Sequence, residues 1–391
     1  MIAEREDISS NSMKKKPQTI YSIATKIGGP GLGIVSYNTV KALLNAGYLK
    51  KAVCYGNKSD IDRGKVLALP GNPAKLLFFL PRNYYRPLRK GFLDYLTSKL
   101  ILKKGCDVFQ GWSSQALRSI KAAKKIGATA IVDSGSNHRF FREEVLNEEY
   151  RRFGIEIRKD PEYVRRAVLE ELDLADHIFV VTDFAKETYV RAGIDGRKVS
   201  VLGRGADLAR FSPGEKKDNV FRVLFAGRIG IRKGVQYLLE AWKGLDLKDA
   251  ELILMGNIDD NFKPVISRYA DLENVVFTGF LRNPEEMFRK SSVFVFPSLE
   301  EGGAKVTYEA MASSLPLIAT ENSGSVMRDG IDGFLVPIRD SESIRRKIVY
   351  FYKNQDEARA MGANALENVR QHTWQHYREN VVKAYREIFG I

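Results

Sequence analysis

Short apolar runs recur along the chain, separated by stretches in which apolar positions return every three or four residues. Residues 18–25 (QTIYSIAT) read as a short buried strand, followed by the glycine loop Gly28-Gly29-Pro30-Gly31-Leu32-Gly33. The next stretch, IVSYNTVKALLNAG, has helical spacing and closes at Gly47, a residue type favoured just past a helix end. Further strands are predicted at 51–55, 107–111, 129–133, 177–181 and 198–202, with helical patterns such as 113–126 and 161–175 between them. At 211–219 the text FSPGEKKDN combines Pro, Gly and charge without a period and reads as a linker. Alternation then restarts, with strands at 221–226, 250–254, 274–277, 292–296 and 316–319 and helices at 234–243, 284–290, 304–313 and 341–352. The stretches 355–371 and 374–389 are helical in pattern. Strand–helix alternation predicts parallel sheets covered on both faces. The expected fold class is therefore α/β, with two tandem doubly wound, Rossmann-like domains facing a central cleft. The expected boundaries are a disordered polar tail at 1–17, a first domain at 18–210 and a second at 211–373, with the last helix, 374–391, crossing back onto the first. A length of 391 residues suits two such cores.

Charge refines this picture. The net charge is +14, and residues 1–110 hold 19 Lys/Arg against 7 Asp/Glu, so nearly all of the excess lies there. Such a local surplus implies an anionic partner: a membrane surface, a charged glycan or a nucleic acid. No RNA- or DNA-binding module is recognisable, so nucleic acid is not the expected partner. Residues 70–104 read as a long insertion in which Leu76, Leu77, Phe78, Phe79, Leu80, Tyr84 and Tyr85 are interleaved with Lys75, Arg82, Arg86, Arg89, Lys90, Lys99, Lys103 and Lys104. That composition fits an interfacial contact with an anionic membrane, or a buried helix pair with a solvated basic face. No apolar run approaches the ~18–20 residues of a membrane span, and MIAEREDISSNSMKKKPQ contains no stretch that would act as a signal peptide. Two cysteines, Cys54 and Cys106, make no disulfide framework. The expected location is the cytoplasm, with peripheral attachment to the inner membrane face as an option.

Two stretches carry chemistry. In PSLEEGGAKVTYEAMA, residues 297–312, Glu301 and Glu309 stand eight apart, with Gly302 and Gly303 just after the first. A helix predicted from about Ala304 places Glu301 in a loop and Glu309 on the helix, and eight helical residues span about 12 Å. A carboxylate accepts two hydroxyl hydrogen bonds at once, so each Glu suits one sugar ring. The N–H groups of residues 303–306, including those of Gly303, Ala304, Lys305 and Val306, crown a helix N-terminus, where anions bind. In AGRIGIRKG, residues 226–234, Arg228 and Lys233 flank a turn between strand and helix, where two cations can converge on a diphosphate.

Together these stretches resemble the retaining glycosyltransferases of family 4, the glycosyl transferases group 1, which have the two-domain GT-B fold. Arg228 and Lys233 match the family's G-R-x-x-x-x-K-G, and Glu301 and Glu309 match its E-x7-E. EAMAS, PLIAT and DGIDGFLVP follow in the family's order, and ADHIFVVTDFAKETYVRAGI through GADLARFSP resembles the last unit of its first domain and the interdomain link. The resemblance implies that Arg228 and Lys233 bind the donor diphosphate, that Glu301 holds the transferred sugar and that Glu309 holds the ribose. It also implies backbone contacts to the base from Gly256, Asn257, Gly279, Phe280 and Leu281, and close approach of Gly29 and Gly31 to a phosphate or acceptor. The family's G-F-G after the first Glu is here Gly303-Ala304, with Lys305 where an apolar residue is usual, so the sugar is open and Lys305 is a candidate phosphate or carboxylate contact. The usual histidine of the first domain is replaced by Asp133-Ser134-Gly135-Ser136-Asn137-His138, and either His138 or Asp133 is a candidate for the reacting centre; a structural cap is an equal reading of Asp133. The expected activity is hexosyl-type transfer from a nucleotide-sugar donor to a glycan or lipid-linked acceptor, with retention, in cell-envelope polysaccharide or glycolipid assembly. No cofactor and no essential metal are expected, since no Asp-x-Asp site is evident. Alternatives are a 2-epimerase or glycogen-synthase-like enzyme of the same fold, a basic nucleic-acid-binding protein, and a catalytically dead glycan binder.

Overall fold

A computed structural model of the chain describes residues 15–69, 82–156 and 160–391. Thr19–Ile23 (β1), Leu49–Cys54 (β2), Val66–Ala68 (β3), Val108–Trp112 (β4), Thr129–Asp133 (β5), His177–Val180 (β6) and Val199–Val201 (β7) form one parallel sheet in the order β3-β2-β1-β4-β5-β6-β7. Phe221–Ala226 (β8), Ala250–Met255 (β9), Val275–Gly279 (β10), Val293–Phe296 (β11), Leu317–Thr320 (β12) and Gly333–Val336 (β13) form a second, in the order β10-β9-β8-β11-β12-β13. Both sheets therefore run outward from a central first strand in two directions. The reversal lies between β1 and β4 in one and between β8 and β11 in the other, and loops at such a switch leave a crevice at the strands' carboxyl ends. The predicted α/β class of two Rossmann-like units holds.

The central strands are mostly apolar, with a few polar residues such as Thr19, Ser22 and Gln110, because helices cover both faces of each sheet. Every residue of β1 and β4 is buried. Leu32–Asn45 (α1), Arg82–Lys104 (α2), Leu117–Lys125 (α3), Arg139–Arg152 (α4), Glu162–Leu174 (α5) and Asp183–Arg191 (α6) accompany the first sheet in sequence. Val235–Trp242 (α7), Lys263–Ile266 (α8), Glu285–Lys290 (α9), Lys305–Ala312 (α10), Ser341–Lys353 (α11), Gln355–Arg370 (α12) and Trp374–Phe389 (α13) follow. Strands β3 and β13 are additions to the predicted set. β3 has only three residues, two of them exposed, and β13 is half-exposed, so neither carries a strong apolar run.

Chain order and packing diverge at two helices. Val145 and Leu146 of α4 join the hydrophobic core of the second sheet. Tyr377, Val381, Ala384 and Tyr385 of α13 join the core of the first sheet, alongside Val40 and Leu43 of α1. The chain thus crosses between the two units twice in one place, where Ala206 N donates to His372 O at 2.7 Å.

The insertion at 70–104 contains one 23-residue helix, α2. Its buried face carries Leu93 and Ile101, and Asp94 accepts from the amides of Arg118 and Ser119 at the start of α3, at 2.8 and 2.9 Å. Its outer face exposes Leu88, Phe92, Tyr95 and Leu102, spaced as one helical stripe, beside Lys99 and Lys103. Residues 1–14 of the polar tail, and Lys75, Leu76, Leu77, Phe78, Phe79 and Leu80 of the apolar–basic stretch, lie outside the described residues. Among the described residues no helix is long and apolar enough to cross a membrane.

Candidate functional site

The carboxyl ends of β8 and β11 each lead into a turn, and the two turns meet. After β8 the chain makes a short 3-10 turn at Ile231–Lys233 and enters α7 through Gly234, which sits at φ 66°. A side chain at Gly234 would overlap the Pro297 carbonyl at the end of β11, so both backbone angle and space require glycine. This close approach brings Lys233 against Glu301, with which it forms an ion pair, and sets the Lys233 ammonium 5.1 Å above the Phe296 ring. Arg232 Nη2 lies 3.1 Å from Glu301 Oε1, and its Nε donates to Glu300 Oε2 at 2.9 Å. Burial alone would raise the Glu301 carboxyl, but the Arg232 and Lys233 cations override it and hold it below the usual carboxylate range. Burial also lowers the Lys233 ammonium, and the Glu301 charge offsets that only in part.

Glu300 and Arg232 went unnoticed in the sequence. Glu300 is fully buried, and Arg142 of α4 approaches it at 4.0 Å from the other unit. Adjacent charges were the available signal; their directions are set by the turn, which spacing alone does not give.

Arg228, by contrast, does not converge with Lys233 here. Its Nη1 pairs with Asp259 Oδ1 at 2.9 Å, and its side chain is 60% exposed. Glu309 is buried on α10 and pairs with Lys305 one turn earlier. Ala304 is the N-cap of α10 in extended conformation, and its own N–H is not free as expected but donates to Ser323 O at 3.1 Å, while Thr307 N bonds back to Ala304 O at 3.1 Å; the amides of Lys305 and Val306 are left at the helix N-terminus. Gly256, at φ 145°, passes so close to Gly227 that a side chain would overlap its carbonyl, and Asn257 O accepts from Ile229 N at 2.9 Å. Gly279 ends β10, and the next two residues are Phe280, 71% exposed, and the half-buried Leu281.

The first unit meets this site through backbone. A Cβ on Gly302 would lie 2.5 Å from Gly135 O and 2.6 Å from Ser136 Cα. Thr182 Oγ1 donates to Gly302 O at 3.0 Å, and Arg204 Nη1 donates to Gly303 O at 2.9 Å. A side chain at Gly303 would overlap that of Val181, which would have to shift.

Asp133 ends β5 at the cleft. Gln110 Nε2 donates to its Oδ1 at 2.7 Å, its Oδ2 is buried without a partner, and burial pushes its pKa up to about 7. His138 faces elsewhere: it is the N-cap of α4, accepts from Phe140 N through Nδ1, and packs edge-on against Phe140 and Tyr189. It lines neither the small cleft bounded by Leu32, Trp112, Asp133 and Arg204 nor the larger cavity beside α2 and α5. The Gly28–Gly33 loop closes through Gly28 N to Gly33 O at 3.0 Å, with Gly31 as N-cap of α1 at φ 66° and Gly29 N bonded to Lys26 O at 3.0 Å. From this loop Leu32 reaches the cleft. Among the described residues no group of three or more His, Cys, Asp or Glu is placed to hold a metal ion.

Residues 220–354 match the family described as Glycosyl transferases group 1. The putative glycosyltransferase EpsD of Bacillus subtilis is 28% identical over 200 residues, 45% of this chain and 52% of that protein. The chain spans about half the length of the curated relatives it matches. Among solved structures, sucrose-phosphate synthase from Thermosynechococcus elongatus superposes with a TM-score of 0.73 at 20% identity, over 95% of this chain and 99% of that one. Anabaena HepE in complex with UDP gives 0.69 at 15% identity, over 95% and 100%. At such identities the likeness is one of fold, and that fold is the two-domain GT-B arrangement.

Proposed function

We propose that this chain is a glycosyltransferase that moves a sugar from a nucleotide-diphosphate donor to a glycan or lipid-linked acceptor, with retention of configuration. The observation that carries the reading is the Arg232–Glu301–Lys233 cluster at the switch point of the second sheet, next to the first turn of α10. The match of residues 220–354 to the group 1 transferases, and HepE's crystallisation with UDP, support it.

In transfer, the sugar–phosphate bond breaks and negative charge grows on the departing diphosphate. Cations and helix N–H groups that wait in place for that charge give the largest expected rate term. Lys233, Arg232 and the first turn of α10 fill this role. The Glu301 carboxylate pairs with the same cations. Donor binding exchanges that carboxylate for phosphate and frees Glu301 to accept hydroxyls of the sugar. Double displacement in retaining hydrolases uses carboxyls about 5–5.5 Å apart. Glu301 is committed to orienting the sugar, so front-face attack is the proposed path: the acceptor oxygen bonds to the anomeric carbon on the face the diphosphate leaves, and its proton passes to the leaving phosphate oxygen. The cations supplied by the protein remove the need for a resident metal. Glu309 is assigned to the ribose, Phe280 and the Gly256–Asn257 turn to the base, and Arg228 to the outer part of the diphosphate once released from Asp259. The outer stripe of α2 is assigned to an anionic membrane surface, consistent with lipid-linked acceptors.

Thermal shift against UDP-, GDP-, ADP- and dTDP-sugars tests the donor site. A ligand at 100 times its dissociation constant adds about 2.7 kcal/mol of stability. One nucleotide should shift the wild type and fail to shift Glu309→Ala. Lys233→Ala should slow transfer by about 10²-fold or more, and near-normal turnover in that variant would sink the assignment.

A further inference from the structure

A large cavity of the first unit bears on the acceptor. It encloses about 1420 Å³ at the carboxyl ends of β1, β4 and β5, under the first turns of α2 and beside α5. Gly135 and Ser136, on which the donor-side Gly302 rests, form part of its wall, so it borders the loop that carries Glu301. We propose that this cavity binds an acceptor bearing a phosphate, with Lys90 and Arg86 holding the phosphate and Asn137 reading the hydroxyls of the attached sugar or polyol. The proposal rests on the transfer reading for the word acceptor, but the phosphate site stands on its own geometry.

Asn137 is the first ground. It is 3% exposed, and neither its Nδ2 nor its Oδ1 has a partner. Buried amides are nearly always bonded, because an unmade hydrogen bond away from water is costly. One that lines a cavity with both a donor and an acceptor free fits two neighbouring hydroxyls.

The cations are the second. Lys90 donates from Nζ to Ser114 Oγ at 2.6 Å and has no carboxylate within 4.0 Å among the described residues. An ammonium has three donors, so two are left for a ligand. Burial draws Lys90 below the usual lysine range, and the charges of Glu171 and Asp160 restore it only in part. Arg86 lies one helical turn before it on the same face of α2, where residues four apart are neighbours.

Four of the five carboxyls of the cavity wall already have partners, and the fifth, Glu156, is exposed. Asp94 accepts the amides of Arg118 and Ser119, and Glu171 accepts those of Ser114 and Ala116. Asp160 pairs with Arg139, and Asp133 with Gln110; Glu156 also lines the wall. Two cations on one helix face suit a dianion, which selects phosphate over a carboxylate. Trp112, held through its Nε1 by the Tyr21 hydroxyl at 2.6 Å, offers a fixed apolar wall for a sugar ring.

Calorimetric titration of the full chain with glucose, glucose 6-phosphate and inorganic phosphate tests this, with UDP as the donor-site probe. Glucose 6-phosphate should bind at least tenfold more tightly than glucose. Lys90→Met should abolish that preference while leaving UDP binding intact, and Lys233→Ala should do the reverse. Asn137→Ala should weaken glucose 6-phosphate but not inorganic phosphate. A lipid source is distinguished by sedimentation with neutral vesicles carrying undecaprenyl phosphate: Lys90-dependent retention together with weak soluble binding identifies a lipid-borne phosphate. No phosphate preference in either arm, or one that survives Lys90→Met, overturns the proposal. Phosphate binding at Lys90 without any nucleotide binding would instead overturn the transfer reading and leave the phosphate site standing.

Discussion

Two buried carboxyls set a pH dependence that follows from their surroundings. Asp133 at the cleft and Glu171 beneath α3 are both pushed by burial to about 7, Glu171 despite accepting two backbone amides. Unfolded, each releases its proton near pH 4. Between pH 4 and pH 7 the native state therefore holds more protons than the unfolded state, and stability falls as pH rises through that window. For Asp133 the total is roughly 4 kcal/mol at most, at about 1.4 kcal/mol per pH unit. Asp133→Asn keeps the acceptor for Gln110 and removes the charge. It should raise the urea midpoint over wild type at pH 8 and have little effect at pH 4.5, and equal midpoints shifts at both pH values would show that Asp133 is not the titrating group. At this scale the sequence was informative about residue types and poor about directions. The spacing that marked Glu301, Glu309 and Lys233 corresponds to a Lys233–Glu301 ion pair at one turn and to Glu309 on one helix, α10. Arg228 satisfies the same motif yet turns to Asp259, and His138, which stands in the stretch where the resembling family has its first-domain histidine, has a ring that caps a helix.

Among elements, α2 and α4 were the hardest to read. α4 has charged and apolar residues around its whole circumference, because one side of it packs into the second unit's core and Glu149 there accepts from Gln236, Tyr237 and Arg339. Periodicity in one segment carries no information about which neighbour it will meet. α2 shows the complementary case, with an inner face fixed by Leu93, Ile101 and Asp94 and an outer stripe of Leu88, Phe92, Tyr95 and Leu102. Apolar side chains beside Lys99 and Lys103 suit the headgroup boundary of an anionic bilayer. Replacing Leu88, Phe92 and Tyr95 by Ser should reduce sedimentation with phosphatidylglycerol vesicles at least fivefold without lowering Tm. Unchanged sedimentation would remove the membrane assignment.

For the molecule as a whole, alternation of strand and helix was enough to foresee two parallel sheets, since each central strand is a short, predominantly apolar run. It could not foresee how the units touch. Besides the packing of α4, that contact at the site is made by glycine and backbone, Gly302 against Gly135 and Ser136, with Thr182 and Arg204 bonded to the same loop. Gly302→Ala places a methyl where only backbone stands, and backbone cannot move aside locally. The variant should hold the units apart, visible as a larger radius of gyration in solution scattering, and should cut transfer at least tenfold while leaving Tm nearly unchanged. Normal turnover would show that this closed contact is not the working state.

Helix α13 brings Tyr385 into the centre of the first sheet, where its hydroxyl donates to Gln110 Oε1 at 2.7 Å and Gln110 in turn holds Asp133. A ribosome releases residues in order, so the first sheet emerges early but waits for a helix that lies beyond the whole second unit. The second unit, needing only α4 from upstream, has all its parts sooner. Synthesis therefore runs from the first unit to the second, whereas completion runs from the second to the first, and the floor of the cleft takes its final form only when the chain's last helix arrives.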